Sequence, residues 1–246
     1  MGAMVTTSRQ AVIVDADVLA APMTRTLLMA VALQPGARFV VRWSLSVEAE
    51  AERALRRGQV KIADLRQRFD WGSTVLVPDA SPEQIAAMVD TSQTDRHVLG
   101  AAAAAKIGVL VTRNVHDFGR ADLLEACVCA VHPDAYLAAV TTPESYRSAL
   151  EVMAATRSRP PNTPETLHAA LGAGHPQVFD AMRDVFPGVA AAPSPHAPSA
   201  ETFRGDRCLV CAVTLADPES LASGVDPGCR GRRRVRNRPS ASGGLA

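Results

Sequence analysis

Long apolar runs are missing from this 246-residue chain. None reaches the roughly 18 residues that a membrane-spanning helix needs, and no secretory signal pattern opens the sequence. The expectation is a cytoplasmic protein with no membrane partner. Lysine is nearly absent: Lys61 and Lys106 are the two in the chain, so arginine carries almost all the basic charge. The five cysteines, Cys127, Cys129, Cys208, Cys211 and Cys229, are odd in number and scattered, which argues against a disulfide framework. Cys127 and Cys129 alternate in an apolar run, as on one face of a strand. Cys208-x-x-Cys211 has the spacing of half a zinc site but lacks a second matching pair.

The charge that is present is unevenly placed. The net charge is +1, yet six arginines fall within residues 230–238, which leaves residues 1–229 with a net charge of −5. The body of the protein is mildly acidic and its positive charge is concentrated near the C-terminal end. The apolar content of 47% and charged content of 21% are those of an ordinary globular protein.

Hydrophobic patterning divides the chain in four. Residues 1–10 read as a disordered leader, within which Met4 is an alternative start. From residue 11 to 140, short apolar runs alternate with helical segments in the order β-α-β-α-α-β-α-α-β-α-β-α. Strands are expected at 11–14, 39–43, 74–77, 109–111 and 127–131, and helices at 23–34, 44–57, 61–69, 82–89, 94–107, 118–126 and 133–140. Short strands buried on both faces and separated by helices imply an α/β fold, a central mainly parallel sheet covered by helices on both sides. Residues 141–186 carry helical signals alone, with Thr142-Pro143-Glu144 and Thr163-Pro164-Glu165 as helix starts. From 187 to 246, Pro, Ala, Ser, Gly and Arg dominate and periodicity is lost, so this stretch reads as mostly disordered. Its Arg230–Arg238 run is a solvated tail or an RNA contact.

The acidic residues carry the functional signal. Asp15 and Asp17 follow directly on the buried run 11–14, where a carboxylate is costly unless solvated, paired or holding a cation. Glu48 and Glu50 lie on the helix after Trp43-Ser44. Asp95 opens the helix TDRHVLGAAAAA, and Asp117 follows the strand VLVT. In an open parallel sheet these positions share the edge where ligands bind. Hard divalent cations take several oxygen ligands, and three or four carboxylates can cradle one or two of them. Four of these acids also have a plainer role open to them: Asp95 as a helix cap, Glu48 and Glu50 as solvated helix residues, Asp117 as a turn former; Asp15, directly after a buried strand, is the hardest to explain away.

Four pieces of this pattern, VDADVL (14–19), RWSLSVEAE (42–50), TDRHVLGAAAAA (94–105) and VTRNVHDF (111–118), resemble PIN-domain ribonucleases, the family of VapC-type toxins. The resemblance covers residues 11–140, and the extension 141–186 is similar to the extra C-terminal segment of one subgroup. It implies a three-layer PIN-like domain and a Mg²⁺- or Mn²⁺-dependent endoribonuclease. The catalytic and metal-binding acids would be Asp15, Glu50, Asp95 and Asp117, with Glu48 the alternative to Glu50. Thr112 and Asn114 would support the site, and Arg96 and Arg113 would meet the RNA, with His97 beside them. Many relatives carry an aspartate where this chain has Asn114, a departure that weakens a second metal site. The resemblance also implies a small antitoxin covering the acidic cleft, and a homodimer. An RNA-processing nuclease of the same chemistry and a non-catalytic binding module of the same fold are the alternatives. A haloacid dehalogenase-type phosphatase, suggested by Asp15-Ala16-Asp17, would need a lysine downstream of a Ser or Thr motif, and both lysines precede Thr112.

Overall fold

A computed structural model describes residues 9–68, 75–193, 201–210 and 213–229. Strand β1 (Gln10–Val14) leads into the one-and-a-half-turn helix α1 (Ala16–Ala20) and then α2 (Pro22–Ala32). β2 (Phe39–Ser44), α3 (Leu45–Ala54), α4 (Ile62–Arg68), β3 (Leu76–Val77), α5 (Pro82–Ala87) and α6 (Arg96–Ala104) follow. β4 (Val109–Val111), a 3₁₀ turn at Val115–Asp117, α7 (Arg120–Glu125), β5 (Cys129–Val131) and α8 (Pro133–Val140) complete the alternating part. Helices α9 (Pro143–Ala155), α10 (Pro164–Gly174) and α11 (Pro176–Ala181) come next, then β6 (Phe203–Arg204) and α12 (Pro218–Ser223).

The protein is thus α/β, with a six-stranded sheet in the order β3-β2-β1-β4-β5-β6. Every pairing is parallel except β5 with β6. β1 sits in the middle, and its Val12, Ile13 and Val14 are fully buried, as a strand covered on both faces requires. The chain runs outward from β1 to β2 and β3, then returns to β1's other side as β4. The order therefore reverses between β1 and β4, and at such a switch the loops leaving the two strands diverge and open a crevice.

Helices α9, α10 and α11 do not stand apart: α9 packs on α2, α11 on α8, and α10 against both α9 and α11. Buried polar groups fix them. Asp134 of α8 accepts the Gln177 and Val178 amides at the start of α11, at 3.0 and 2.9 Å. His175 meets the Thr24 hydroxyl of α2 at 3.1 Å, and Tyr146 meets His168 at 2.9 Å.

Three expectations need correction. The stretch after residue 187 is not uniformly unstructured: among its described residues, β6 adds an antiparallel edge strand, pairing Ala130 with Arg204 and Val131 with Phe203. The unpaired edge of β5 supplies the reason, because backbone groups there can bond to almost any sequence. The Arg230–Arg238 run and Cys211 lie outside the described residues, as do residues 1–8 of the leader, whereas Gln10 already belongs to β1. Finally, Cys127 does not share a strand face with Cys129. It is exposed, with φ of 55°, in the turn that ends α7, and β5 begins only at Cys129.

Candidate acidic site

The register builds the site from its centre. Val14 pairs with Val111, so Asp15 and Thr112 leave their strands side by side. The Asp15 amide donates to the Val111 carbonyl at 3.0 Å, carrying the ladder one residue further. Thr112 Oγ1 donates to Asp15 Oδ2 at 2.8 Å, and the Ala16 amide donates to Oδ1 at 2.6 Å, which caps α1. Asp15 is 5% exposed. Burial pushes its carboxyl up to about 6; the Thr112 and Ala16 bonds oppose the rise, and the negative charges of Asp95 and Glu50 add to it. Acids 35 and 80 positions away in sequence thus act on Asp15 through space.

Asp17, noted in the sequence as one of a pair but not given a role, belongs to the same cluster. Burial and the Asp15 charge push its carboxyl up to about 8, against the amide and charge of Arg113. That amide lies 3.0 Å from Asp17 Oδ2. The Asp-x-Asp spacing across a strand end was the signal that marked it.

Ser44 ends β2 and caps α3, its Oγ accepting the Val47 amide at 3.4 Å. The helix separates the two glutamates. Glu48 is buried beside Val47 and Ala51; it accepts from Trp43 Nε1 at 2.8 Å and from Arg66 Nε at 3.2 Å. It joins β2, α3 and α4, a structural role in place of the one it would take as the alternative to Glu50. Glu50 is the glutamate whose charge reaches Asp15. His97 Nε2 lies 3.2 Å from Glu50 Oε2, while His97 Nδ1 contacts the Thr94 carbonyl at 2.8 Å.

Asp95 stands at the N-cap position of α6 yet makes no side-chain cap bond. The plain capping role does not apply; its Oδ2 accepts from Thr94 Oγ1 at 3.0 Å. Gly100 lets α6 approach closely, since a Cβ there would stand 2.5 Å from that of Ala80. Arg96 is tied back by its Nε to the Thr91 carbonyl at 3.0 Å, whereas Arg113 is exposed.

The 3₁₀ turn carries Asp117 to the start of α6: its carbonyl accepts the Ser92 amide at 2.8 Å. Its carboxylate pairs with His116 Nε2 at 3.2 Å. Asn114 is exposed and donates its amide to Thr112 Oγ1 at 3.0 Å. Gly119 permits this docking, because a Cβ there would lie 2.4 Å from Asp90. Asp122, which drew no notice in the sequence, is the latch: buried on α7, it accepts the amides of Val89, Asp90 and Thr91 at 3.3, 2.9 and 2.7 Å. Burial alone would raise its carboxyl, but bonds from Thr91, Val89 and Asp90 hold it below the usual carboxylate value.

The structure therefore brings Asp17, Glu50 and Asp95 into electrostatic reach of Asp15. It places Asp117 on the adjoining loop with its carboxylate engaged by His116. Among the described residues, no three His, Cys, Asp or Glu side chains converge tightly enough to hold a metal ion as they stand. Cys208, in the half zinc motif, is buried with its sulfur accepting the Val210 and Asp226 amides at 3.4 and 3.3 Å. No helix among the described residues is long and apolar enough to cross a membrane. Comparison with protein-family models, with curated proteins and with solved structures returned no match.

Proposed function

We propose that the chain is a divalent-metal-dependent ribonuclease of the PIN type, acting through Asp15, Glu50 and Asp95 with Asp117 from the neighbouring loop. One observation carries the reading: a buried carboxylate at the sheet's switch point feels two further carboxylates from distant helices. Gathering like charges is unfavourable unless a cation offsets them. The donors are oxygens without sulfur, which suits Mg²⁺ or Mn²⁺. Such an ion, when bound, lowers the pKa of water and offsets charge developing on a phosphodiester. Around it, Thr112 orients Asp15, Asp95 is left uncapped for the ligand, and the exposed Arg113 faces the approaching backbone. The net charge of −5 over residues 1–229 favours a basic partner peptide over the cleft, so a toxin silenced by a small antitoxin is the biological role we favour.

A second reading is a binding module that keeps the fold without the chemistry. It draws on the pairing of Asp117 with His116 and on Asn114 in place of an acid.

Total RNA incubated with the protein and Mg²⁺ or Mn²⁺, beside Asp95→Ala, decides between the two. Metal-dependent cutting lost in the variant supports the nuclease. Equal cutting by both proteins sinks the assignment of the site. Mn²⁺ binding with no cutting of any RNA favours the module.

A further inference from the structure

The segment that composition marks as disordered returns to the site. Phe203 and Arg204 pair with Val131 and Ala130, and the Thr202 carbonyl accepts the His132 amide at 2.8 Å. Phe203 is buried, and α12 closes over it: a Cβ at Gly224, the αL cap of that helix, would stand 2.6 Å from the Phe203 ring. Arg204 therefore has a fixed origin. Glu201 grips its guanidinium, with Nε to Oε1 at 3.0 Å and Nη2 to Oε2 at 2.6 Å. The remaining nitrogen, Nη1, donates to the carbonyls of Phe118 at 2.8 Å and His116 at 3.3 Å. Those two carbonyls bracket Asp117.

The turn they belong to has little strength of its own. It is three residues of 3₁₀ helix with no side-chain cap, closed by Asp117 N–H to Asn114 at 3.0 Å and Phe118 N–H to Val115 at 3.4 Å. Short 3₁₀ segments have poor hydrogen-bond geometry, and their position is set by what holds them from outside. Val115 and Phe118 anchor its apolar side in the core, and its carbonyls are held from outside by Ser92 on one side and Arg204 on the other. A planar guanidinium fixed at both edges can hold two carbonyls at once, which an ammonium cannot do with the same geometry.

We infer that Arg204, held by Glu201, is a positioning residue that fixes the Asp117 turn against the acidic site, so that the C-terminal segment is part of the ribonuclease's working structure. This rests on the proposed nuclease reading, and the test separates the two. The full chain is compared with Arg204→Gln and Glu201→Gln by steady-state RNA cleavage with Mn²⁺ and by amide hydrogen exchange in metal-free protein. Arg204→Gln should lower kcat about tenfold with KM nearly unchanged, the order expected for losing a charge-assisted hydrogen bond. Exchange at Asp117 and Phe118 should accelerate by about the same factor, while Leu110 and Val14 keep their rates. Glu201→Gln should fall between variant and wild type, and methylguanidinium in solution should restore part of the lost kcat. Unchanged exchange at Asp117 and Phe118 overturns the inference, as does unchanged kcat in an active enzyme. Acceleration that extends to Leu110 and Val14 also overturns it, because Arg204 would then hold the fold as a whole. If the wild type cuts no RNA, the nuclease reading fails, and exchange alone decides whether Arg204 fixes the turn.

Discussion

Thr112 Oγ1 donates to Asp15 Oδ2 at 2.8 Å across 97 positions of sequence, joining the ends of the two strands between which the sheet reverses its order. This bond orients the most buried acid of the cluster and lowers the cost of its charge. Thr112→Val keeps the shape and removes the donor. The Asp15 carboxyl should then rise further, and the midpoint of Mn²⁺ binding against pH should move upward. A titration at several pH values measures the shift; an unchanged midpoint means the hydroxyl does not serve the carboxylate.

If the chain is the proposed nuclease, removing a carboxylate from the cluster should cost most of its cleavage while sparing the fold. Metal-assisted charge stabilisation is worth several kcal/mol, so Asp15→Asn or Asp95→Ala should lower kcat/KM by roughly a thousandfold. Asp95 makes no cap bond, so its alanine variant should melt near the wild-type temperature. Cleavage kinetics and thermal melts on the same samples give both numbers.

The two glutamates of α3 should separate in experiment as they do in space. Glu48→Gln leaves Arg66 without its buried carboxylate partner and should cost about 2 kcal/mol of stability, with Mn²⁺ affinity little changed. Glu50→Gln should weaken Mn²⁺ binding about tenfold or more, since a lost ligand or its support commonly costs that much, with stability nearly unchanged. Urea unfolding and calorimetric titration of both variants test this, and the reverse pattern would exchange their roles.

Metal-free protein should lose stability as pH rises. The carboxyls of Asp15 and Asp17 are raised to about 6 and about 8 in the folded state, chiefly by burial, so the native state holds these protons more tightly than the unfolded chain. The penalty is absent below about pH 4, grows as pH rises from there, and levels off past 6 for Asp15 and past 8 for Asp17. Denaturation midpoints should therefore fall from pH 5 to pH 8 and level off above it, and Asp17→Asn should flatten the part between pH 6 and pH 8. A midpoint that climbs over this range contradicts the assignment.

Asp122 should matter for the site without touching it. Its carboxylate holds three amides of the turn that leads to Asp95, so Asp122→Ala should destabilise by about 3 kcal/mol. Because its carboxyl sits below the usual value in the folded state, its contribution is present at neutral pH and is lost as pH falls through the carboxylate range. The difference between wild type and variant should narrow toward pH 3, as measured by urea unfolding.

Much of this was open to reading along the chain. Val12 to Val14 followed at once by Asp15 announces a buried strand meeting a polar edge, because a carboxylate directly after a buried run is costly unless it is solvated or paired. Proline after Ser81, Thr142 and Thr163 marks helix starts that the structure reproduces at α5, α9 and α10. Those signals are local: burial, capping and backbone restriction act within a few residues. Other features were not local. Glu48 and Glu50 differ by two positions on one helix, and only the arrival of Trp43 and Arg66 decides which is enclosed. Asp122 and Arg204 resemble solvated charges until the loops they hold are placed beside them. The 201–229 segment resembles disorder because what fixes β6 is backbone pairing with the open edge of β5, and peptide groups pair without regard to composition. The sequence by itself determined the alternation of strands and helices through residue 140 and most of the points where strands end, since hydrophobic period and turn chemistry are written residue by residue. Which acids meet, and what holds them, was decided only in three dimensions, because electrostatic and hydrogen-bonded neighbours there come from parts of the chain that carry no mark of one another.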